Sequence, residues 1–281
     1  LHLRCWGGCL HLRVAFQGEH GAYSEEAIVQ HFGLEAEPIP CPSLREVFES
    51  TERGRVDLGL VPVENTLEGS IAQTHDLLLA STLMVQSEVI LRVVHCLISN
   101  PGVSMRDVRR VYSHPQALGQ CRPFLEGHGL EIVDAYDTAG SVKMLRDGGL
   151  TDAAAVAGGR AAEEYGMAVL ARGIESHPDN YTRFLILGRA DHERTGRDKT
   201  SVACALADAP GALFRALGCF AERGVGLSRI ETRPIAGSPW AYHYFMDLEG
   251  HRDDPLVTRS LGALRARARW LRVLGSYPRA V

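Results

Sequence analysis

Apolar positions along this chain come in short runs, set between longer stretches where they recur every three or four residues. Val14-Ala15-Phe16 reads as a buried strand. Residues 23–32 follow with helical spacing, and Gly33 stands where a left-handed residue would end that helix. Residues 56–63, 93–98, 111–112, 130–133, 153–157 and 184–187 are further strands. Amphipathic helices lie between them; residues 43–52, for instance, place Leu44, Val47 and Phe48 on one face. Strands alternating with helices predict α/β layers with mostly parallel strands.

Residues 189–199 break this alternation. They are charged, hold one Gly and no large apolar residue, and read as a surface linker or hairpin. Beyond them the pattern changes. A strand at 200–207 leads through the turn Asp208-Ala209-Pro210-Gly211 into a helix carrying Leu213, Leu217, Phe220 and Ala221, ended by Gly224. Strands at 225–232 and 240–248, a helix at 256–268 with Leu261, Leu264 and Ala268 on one face, and a strand at 270–274 complete the order βαββαβ. That order predicts a ferredoxin-like sandwich. The domain expectation is a tail at 1–12, an α/β domain at 13–190 and a second domain at 200–277.

At 281 residues the chain is long for one core and comfortable for two domains. Its 45% hydrophobic and 23% charged residues describe an ordinary globular protein, and a formal net charge of -4 argues against nucleic acid as a partner. No apolar stretch approaches a membrane span, and residues 1–12 lack the apolar core of an export signal, so a cytoplasmic location away from membranes is expected. The seven cysteines are odd in number and widely spaced, which favours reduced, buried thiols. His2, Cys5, Cys9 and His11 cluster near the start, as a zinc set or as part of a poorly ordered tail.

Candidate chemistry gathers where strands meet helices. Gly18-Glu19-His20-Gly21-Ala22-Tyr23-Ser24 joins the first strand to the first helix, as an anion-binding loop or a plain tight turn. Asn65 and Thr66 end a strand, with Gly69-Ser70 expected to open the next helix; they serve as ligand contacts or as caps. In Ser113-His114-Pro115-Gln116, Pro115 suits the first helical position, so Ser113 or His114 caps, and Gln120 lies on the same face as Gln116. Ser113 and Gln120 would face a ligand. Asp137-Thr138-Ala139-Gly140-Ser141 is a third small-residue loop before a helix, where Thr138 and Ser141 either cap or bind. Three helix N-termini aimed at one region suit a cleft that binds a polyanion. Finally, Asn180-Tyr181-Thr182-Arg183-Phe184 enters a strand with an amide, a hydroxyl and a guanidinium. Arg183 suits a carboxylate and Thr182 a departing oxygen. The five arginines between 259 and 272 read as a solvated face. Serine-hydrolase and zinc-hydrolase motifs do not occur.

Taken in order, these five motifs resemble the prephenate dehydratase family, and the segments Gly211-Ala212-Leu213-Phe214 and Glu231-Thr232-Arg233-Pro234 resemble an ACT regulatory domain. The resemblance runs from Val14 to about Leu274. It implies two α/β lobes like those of type 2 periplasmic binding proteins, followed by a ferredoxin-like βαββαβ ACT domain. It implies decarboxylating dehydration of prephenate to phenylpyruvate, on the route to L-phenylalanine, without metal or organic cofactor. Thr182, Arg183, Ser113, Asn65 and Gln120 match the family's catalytic positions, and Gly21, Thr66, Thr138, Ala139 and Gly140 are the expected substrate contacts. Gly211, Ala212, Leu213, Glu231, Thr232, Arg233 and Pro234 would bind L-phenylalanine as effector, in a homodimer or homotetramer.

Departures lie in Glu19-His20 and Ala22 of the first motif, and in Thr232 and Gly226 near the effector segment. The absence of a preceding chorismate mutase segment leads to the expectation of a monofunctional enzyme. Arogenate dehydratase is the near alternative, and a non-enzymatic amino-acid or anion-binding protein the remote one.

Overall fold

The computed structural model describes residues 11–235 and 237–280. Of the early zinc candidates, His2, Cys5 and Cys9 fall outside the described residues. The expected tail at 1–12 overlaps them only at its end, where Leu12 already opens the first strand.

The chain runs β1 (Leu12–Gln17), α1 (Tyr23–Phe32), β2 (Ala36–Cys41), α2 (Leu44–Glu52), β3 (Leu58–Asn65), β4 (Gly69–Ser70), α3 (Ala72–Ala80) and β5 (Met84–Arg92). Next come β6 (Cys96–Ser99), β7 (Arg110–Ser113), α4 (Pro115–Gly127), β8 (Glu131–Asp134), α5 (Thr138–Gly148), β9 (Ala153–Ala157), α6 (Gly159–Tyr165), β10 (Ala168–Arg172) and β11 (Tyr181–Gly188). The last stretch is β12 (Asp198–Leu206), α7 (Ala212–Ala221), β13 (Leu227–Pro234), β14 (Tyr242–Glu249), α8 (Pro255–Arg265) and β15 (Ala268–Pro278). This is a mixed α/β protein with several sheets. One sheet has the order β2-β1-β3-β11-β5, with β4 paired to β3. Among the described residues no helix is long and apolar enough to cross a membrane.

Contacts group the chain into two compact units: residues up to 47 with 64–69 and 90–184, and residues 48–63, 70–89 and 185–281. In the first, a sheet of order β10-β6-β9-β7-β8 carries the core. Strand β7 is parallel to β8 and β9, while β6 is antiparallel to β9 and β10, so the sheet is mixed where mostly parallel strands were expected. β9 is Ala-Ala-Ala-Val-Ala and wholly buried. Its Ala154 and Val156 pack with Val111, Leu118, Cys121 and Leu125 into one core cluster. The parallel strands deliver the chain to the N-termini of α4, α5 and α6. His114 caps α4 through its ring nitrogen and Pro115 takes the first helical position, while Asp137 caps α5 by accepting from the Gly140 amide.

In the second unit the antiparallel sheet has the order β13-β14-β12-β15. With its helices this is the βαββαβ order that the periodicity predicts. Met246 and Leu248 of β14 pack with Phe220 of α7 and Leu261 and Leu264 of α8. The intervening side chains point the other way, as the period of two requires. There Phe245 meets the ring of His75 from α3 at 4.7 Å, and Arg272 donates to the carbonyls of Leu78 and Leu79 at 3.2 Å. Arg272 therefore satisfies orphan carbonyls at a helix end, whereas a solvated role was expected.

Other differences have local causes. Gly69-Ser70 forms the short strand β4, and the helix starts at Ala72. β2 escaped notice because Pro38 and Pro40 count against a strand; it lies at a sheet edge, where proline is tolerated. Strands β5 and β10 were also missed. The charged segment at 189–199 is exposed in the middle but anchored at both ends. Arg189 donates to the carbonyls of Thr51 and Val56 at 2.8 and 3.0 Å. Asp198 and Lys199 are buried in β12, and the Lys199 ammonium meets both oxygens of buried Glu88 at 2.8 and 3.1 Å.

Candidate active site

The C-terminal end of β3 and the first residues of β11 lie side by side, stitched by Thr66. Its amide donates to the Tyr181 carbonyl at 2.9 Å and its hydroxyl to the Asp179 carbonyl at 2.8 Å; the hydroxyl oxygen accepts from the Tyr181 amide at 2.9 Å. Thr66 is thus occupied with backbone. The stitch brings Asn65 against Asn180 and Thr182.

Asn65 has a single workable orientation. Its Oδ1 accepts from the amides of Leu67 and Glu68 at 2.9 and 3.0 Å, which leaves Nδ2 facing the strand. Nδ2 donates to Asn180 Oδ1 at 2.8 Å, Thr182 Oγ1 at 3.0 Å and the Tyr181 carbonyl at 3.2 Å. Because Thr182 Oγ1 is an acceptor there, its own proton remains for another partner. Asn180 is fully buried, and its Nδ2 donates to Gln120 Oε1 at 2.8 Å. The Gln120 Nε2 group faces Glu68 Oε1 at 3.3 Å.

Gln120 Oε1 has a second neighbour, His95 Nε2 at 2.8 Å, and His95 Nδ1 in turn lies 2.7 Å from the Tyr23 hydroxyl. His95 is buried, and burial pulls its pKa down; burial likewise holds the Tyr23 phenol well above its ordinary range. Both are neutral at pH 7. The His95 backbone amide is anchored on Glu175 Oε2 at 2.9 Å. Gly158 gives the Tyr23 ring its place, since a Cβ there would come within 2.9 Å of the ring.

Arg183 has its side chain largely buried, 3.9 Å from a Glu64 carboxylate oxygen. The other expected residues divide. Ser113 is fully buried and donates to the Val156 carbonyl at 2.6 Å, so its proton does not face a ligand as expected. The Gly21 amide donates to Glu25 Oε2 at 2.7 Å rather than to a ligand. The glycine, at φ 83°, is required because a Cβ would lie 2.6 Å from Ala161 Cα. Thr138, Ala139 and Gly140 form the first turn of α5; Ala139 and Gly140 are buried, and the Gly140 amide is held by the Asp137 cap at 2.9 Å. Burial raises the Asp137 carboxyl's pKa against those cap hydrogen bonds. The α5 segment is tied to the first loop by Lys143 and Glu19 at 2.9 Å.

In the second unit, Gly211 caps α7 at φ 76°, followed by Ala212, with Leu213 and Phe214 exposed. Along β13, Arg229, Glu231 and Arg233 alternate with Thr232 and Pro234. Arg229 reaches Ser70 Oγ at 3.3 Å, His75 Nε2 at 3.1 Å and Glu231 at 3.7 Å; Arg233 reaches Asp76 at 3.4 Å. Glu231 and Arg233 therefore point toward α3, and Thr232 and Pro234 toward the opposite side.

Sequence reasoning counted the Asn180 amide among the suited groups without giving it a role, and missed Tyr23, His95 and Glu68 as site residues. Tyr23 and Asn180 lie inside the motifs quoted for the resemblance. His95 sits in no motif, and only its fold neighbours reveal it.

Residues 14–192 match the family model described as prephenate dehydratase, and that match covers more than half the chain. The chain belongs to the prephenate dehydratase family. A bifunctional chorismate mutase/prephenate dehydratase of Aquifex aeolicus is 38% identical, over 96% of this chain and 74% of its own length. An arogenate dehydratase/prephenate dehydratase of Arabidopsis thaliana is 44% identical, over 95% of this chain and 73% of its own. The structure of prephenate dehydratase from Arthrobacter aurescens in complex with L-Phe superposes with a TM-score of 0.87 at 36% identity, covering 95% of this chain and 90% of that one.

Proposed function

We propose that this chain is a hydro-lyase that converts prephenate to phenylpyruvate in phenylalanine biosynthesis. The observation that carries the reading is the Thr182 hydroxyl. It accepts from Asn65, keeps its own proton to give, and stands beside the cationic Arg183 in a chain of this family.

In the reaction the ring carboxylate leaves as carbon dioxide, and its bonding electrons close the aromatic ring. The ring hydroxyl departs with a proton as water. Thr182 donates the hydrogen bond or proton to that oxygen, and acceptance from Asn65 strengthens it as a donor. Arg183 and the N-terminal turns of α4 and α5 stabilise the substrate carboxylates. Asn65, Asn180 and Gln120 hold the donor in place, and Ser113 supports the site through its backbone bond. Gly21 and Thr66 shape the loops around it, while Thr138, Ala139 and Gly140 supply the turn that faces the anion.

The catalytic region would be two α/β lobes, and residues 200–277 an ACT domain. Gly211, Ala212, Leu213, Glu231, Thr232, Arg233 and Pro234 then bind L-phenylalanine in a cytoplasmic homodimer or homotetramer. The L-Phe complex of the Arthrobacter relative supports this effector. The Arabidopsis relative supports a second reading, in which the aminated substrate arogenate is also used. Purified protein assayed with prephenate and arogenate tests both. Phenylpyruvate from prephenate is the expected product, phenylalanine from arogenate would establish the second reading, and turnover of neither would sink the enzyme assignment. L-phenylalanine titration with and without substrate tests the effector: no change in rate or thermal stability would remove it.

A further inference from the structure

We propose that Tyr23 and His95 are positioning residues which secure, from the end opposite the Leu67 and Glu68 amides, the hydrogen-bond direction of the Gln120–Asn180–Asn65 relay that leaves the Thr182 proton for the substrate. This rests on the reading of Thr182 as donor to the leaving oxygen. Every link in the relay is an amide, and an amide turned end for end exchanges its donor for its acceptor at nearly unchanged shape. A relay of amides therefore has two directions of similar geometry, and something must choose between them.

One end is chosen by backbone. The Leu67 and Glu68 amides demand an oxygen from Asn65, which directs Nδ2 toward Asn180 and Thr182. Asn180 must then offer Oδ1 to Asn65 and Nδ2 to Gln120, and Gln120 must offer Oε1.

The other end is chosen by His95. A neutral imidazole carrying its proton on Nε2 donates to Gln120 Oε1 and shows a bare Nδ1 to the Tyr23 hydroxyl at 2.7 Å. The opposite tautomer would set two lone pairs against each other at 2.8 Å. Tyr23 has two acceptors in reach, His95 Nδ1 at 2.7 Å and the Val94 carbonyl at 3.2 Å, and donation to the nearer one secures the productive tautomer. With both ends agreeing, Gln120 Oε1 receives two protons, and every link matches the next.

Tyr23→Phe removes the group that secures the tautomer, His95→Leu removes the donor to Gln120, and His95→Gln restores an amide N–H near the place of Nε2. Expected is a kcat reduced about tenfold or more in Tyr23→Phe and His95→Leu, the rate equivalent of one lost hydrogen bond. KM should stay within about threefold, and His95→Gln should recover most of the loss. Histidine-selective nitrogen NMR should find His95 protonated on Nε2 in the wild type and a mixture of tautomers in Tyr23→Phe. Should His95→Leu fail to fold, Tyr23→Phe and the NMR spectrum still decide. Wild-type kcat in folded Tyr23→Phe and His95→Leu, or His95 protonated on Nδ1 in the wild type, would overturn the proposal. Failure of the wild type to turn over either substrate would instead defeat the enzymatic reading, while the spectrum still reports the relay's direction.

Discussion

Thr182→Val isolates the donor, because valine keeps the branched shape and removes only the hydroxyl. The relay behind it should survive. Asn65 Nδ2 retains Asn180 Oδ1 at 2.8 Å and the Tyr181 carbonyl at 3.2 Å, while its Oδ1 stays on the two backbone amides. The stability cost is then one hydrogen bond, about 1 kcal/mol, or a Tm lower by roughly 2–4 °C for a chain of this size. The kinetic cost is larger. Loss of a positioned proton donor lowers kcat by about 10²–10⁴, which is roughly 3–5 kcal/mol of transition-state stabilisation. KM should change little, since the carboxylate contacts are untouched. Thr182→Ser keeps a donor and should stay within about tenfold of wild type. Phenylpyruvate formation from prephenate at saturating and limiting concentrations reads both parameters. A folded Thr182→Val enzyme with kcat within about threefold of wild type would refute the assignment of the donor.

Three further outcomes follow from burial. Lys199→Met leaves the buried Glu88 carboxylate with the Ala280 amide at 2.9 Å but without its ammonium, and should cost about 3–5 kcal/mol in denaturant unfolding; a smaller loss than about 1 kcal/mol would mean that the remaining partners suffice for the carboxylate. His75 and His95 have pKa values pulled down mainly by burial, so they are neutral in the fold and take up protons when it opens. Their contribution is full above the unfolded value near 6.5 and falls as pH drops below it, so the urea midpoint should decline from about pH 6.5 downward; an unchanged midpoint at pH 5 would contradict this. Cys41, Cys96, Cys121, Cys204 and Cys219 are buried, and burial pushes the Cys121 and Cys204 thiols up to about 12. Peptide mapping after a brief thiol-reagent pulse should find these five unmodified in the native protein and modified in urea.

Periodicity located the elements whose burial is one-sided. α1 begins and ends at the residues read from its apolar spacing and Gly33, and the βαββαβ order follows from alternating patterns and turn residues. It failed where tertiary contacts reverse the local signal. Asp198 and Lys199 look like linker residues, because a sequence does not display Glu88 waiting far away in the chain. β2 looks like a loop, because its two prolines matter less at an edge than in the middle of a sheet. The site was legible as residue types at strand ends, but not as a direction. That Asn65 and Asn180 form successive links, and that Ser113 turns its hydroxyl to Val156 instead of outward, depends on which strands become neighbours. His95 had no local mark at all, since its importance comes from Tyr23 and Gln120 on either side.

The all-amide make-up of the relay carries a chemical vulnerability. Asparagine and glutamine do not titrate, so the links keep their direction across a range of pH in which carboxylates would change theirs. An acid at any link, introduced by mutation, replaces an amino group with an oxygen while barely altering shape. Asn180→Asp would turn an oxygen toward Gln120 Oε1, and Asn65→Asp would turn one toward both Asn180 and Thr182. With Asn65→Asp the Thr182 proton would be drawn inward, away from the place proposed for the substrate. Exchange of the single Asn65 amide for an acid would silence the proposed donor while leaving the shape of the side chain almost untouched.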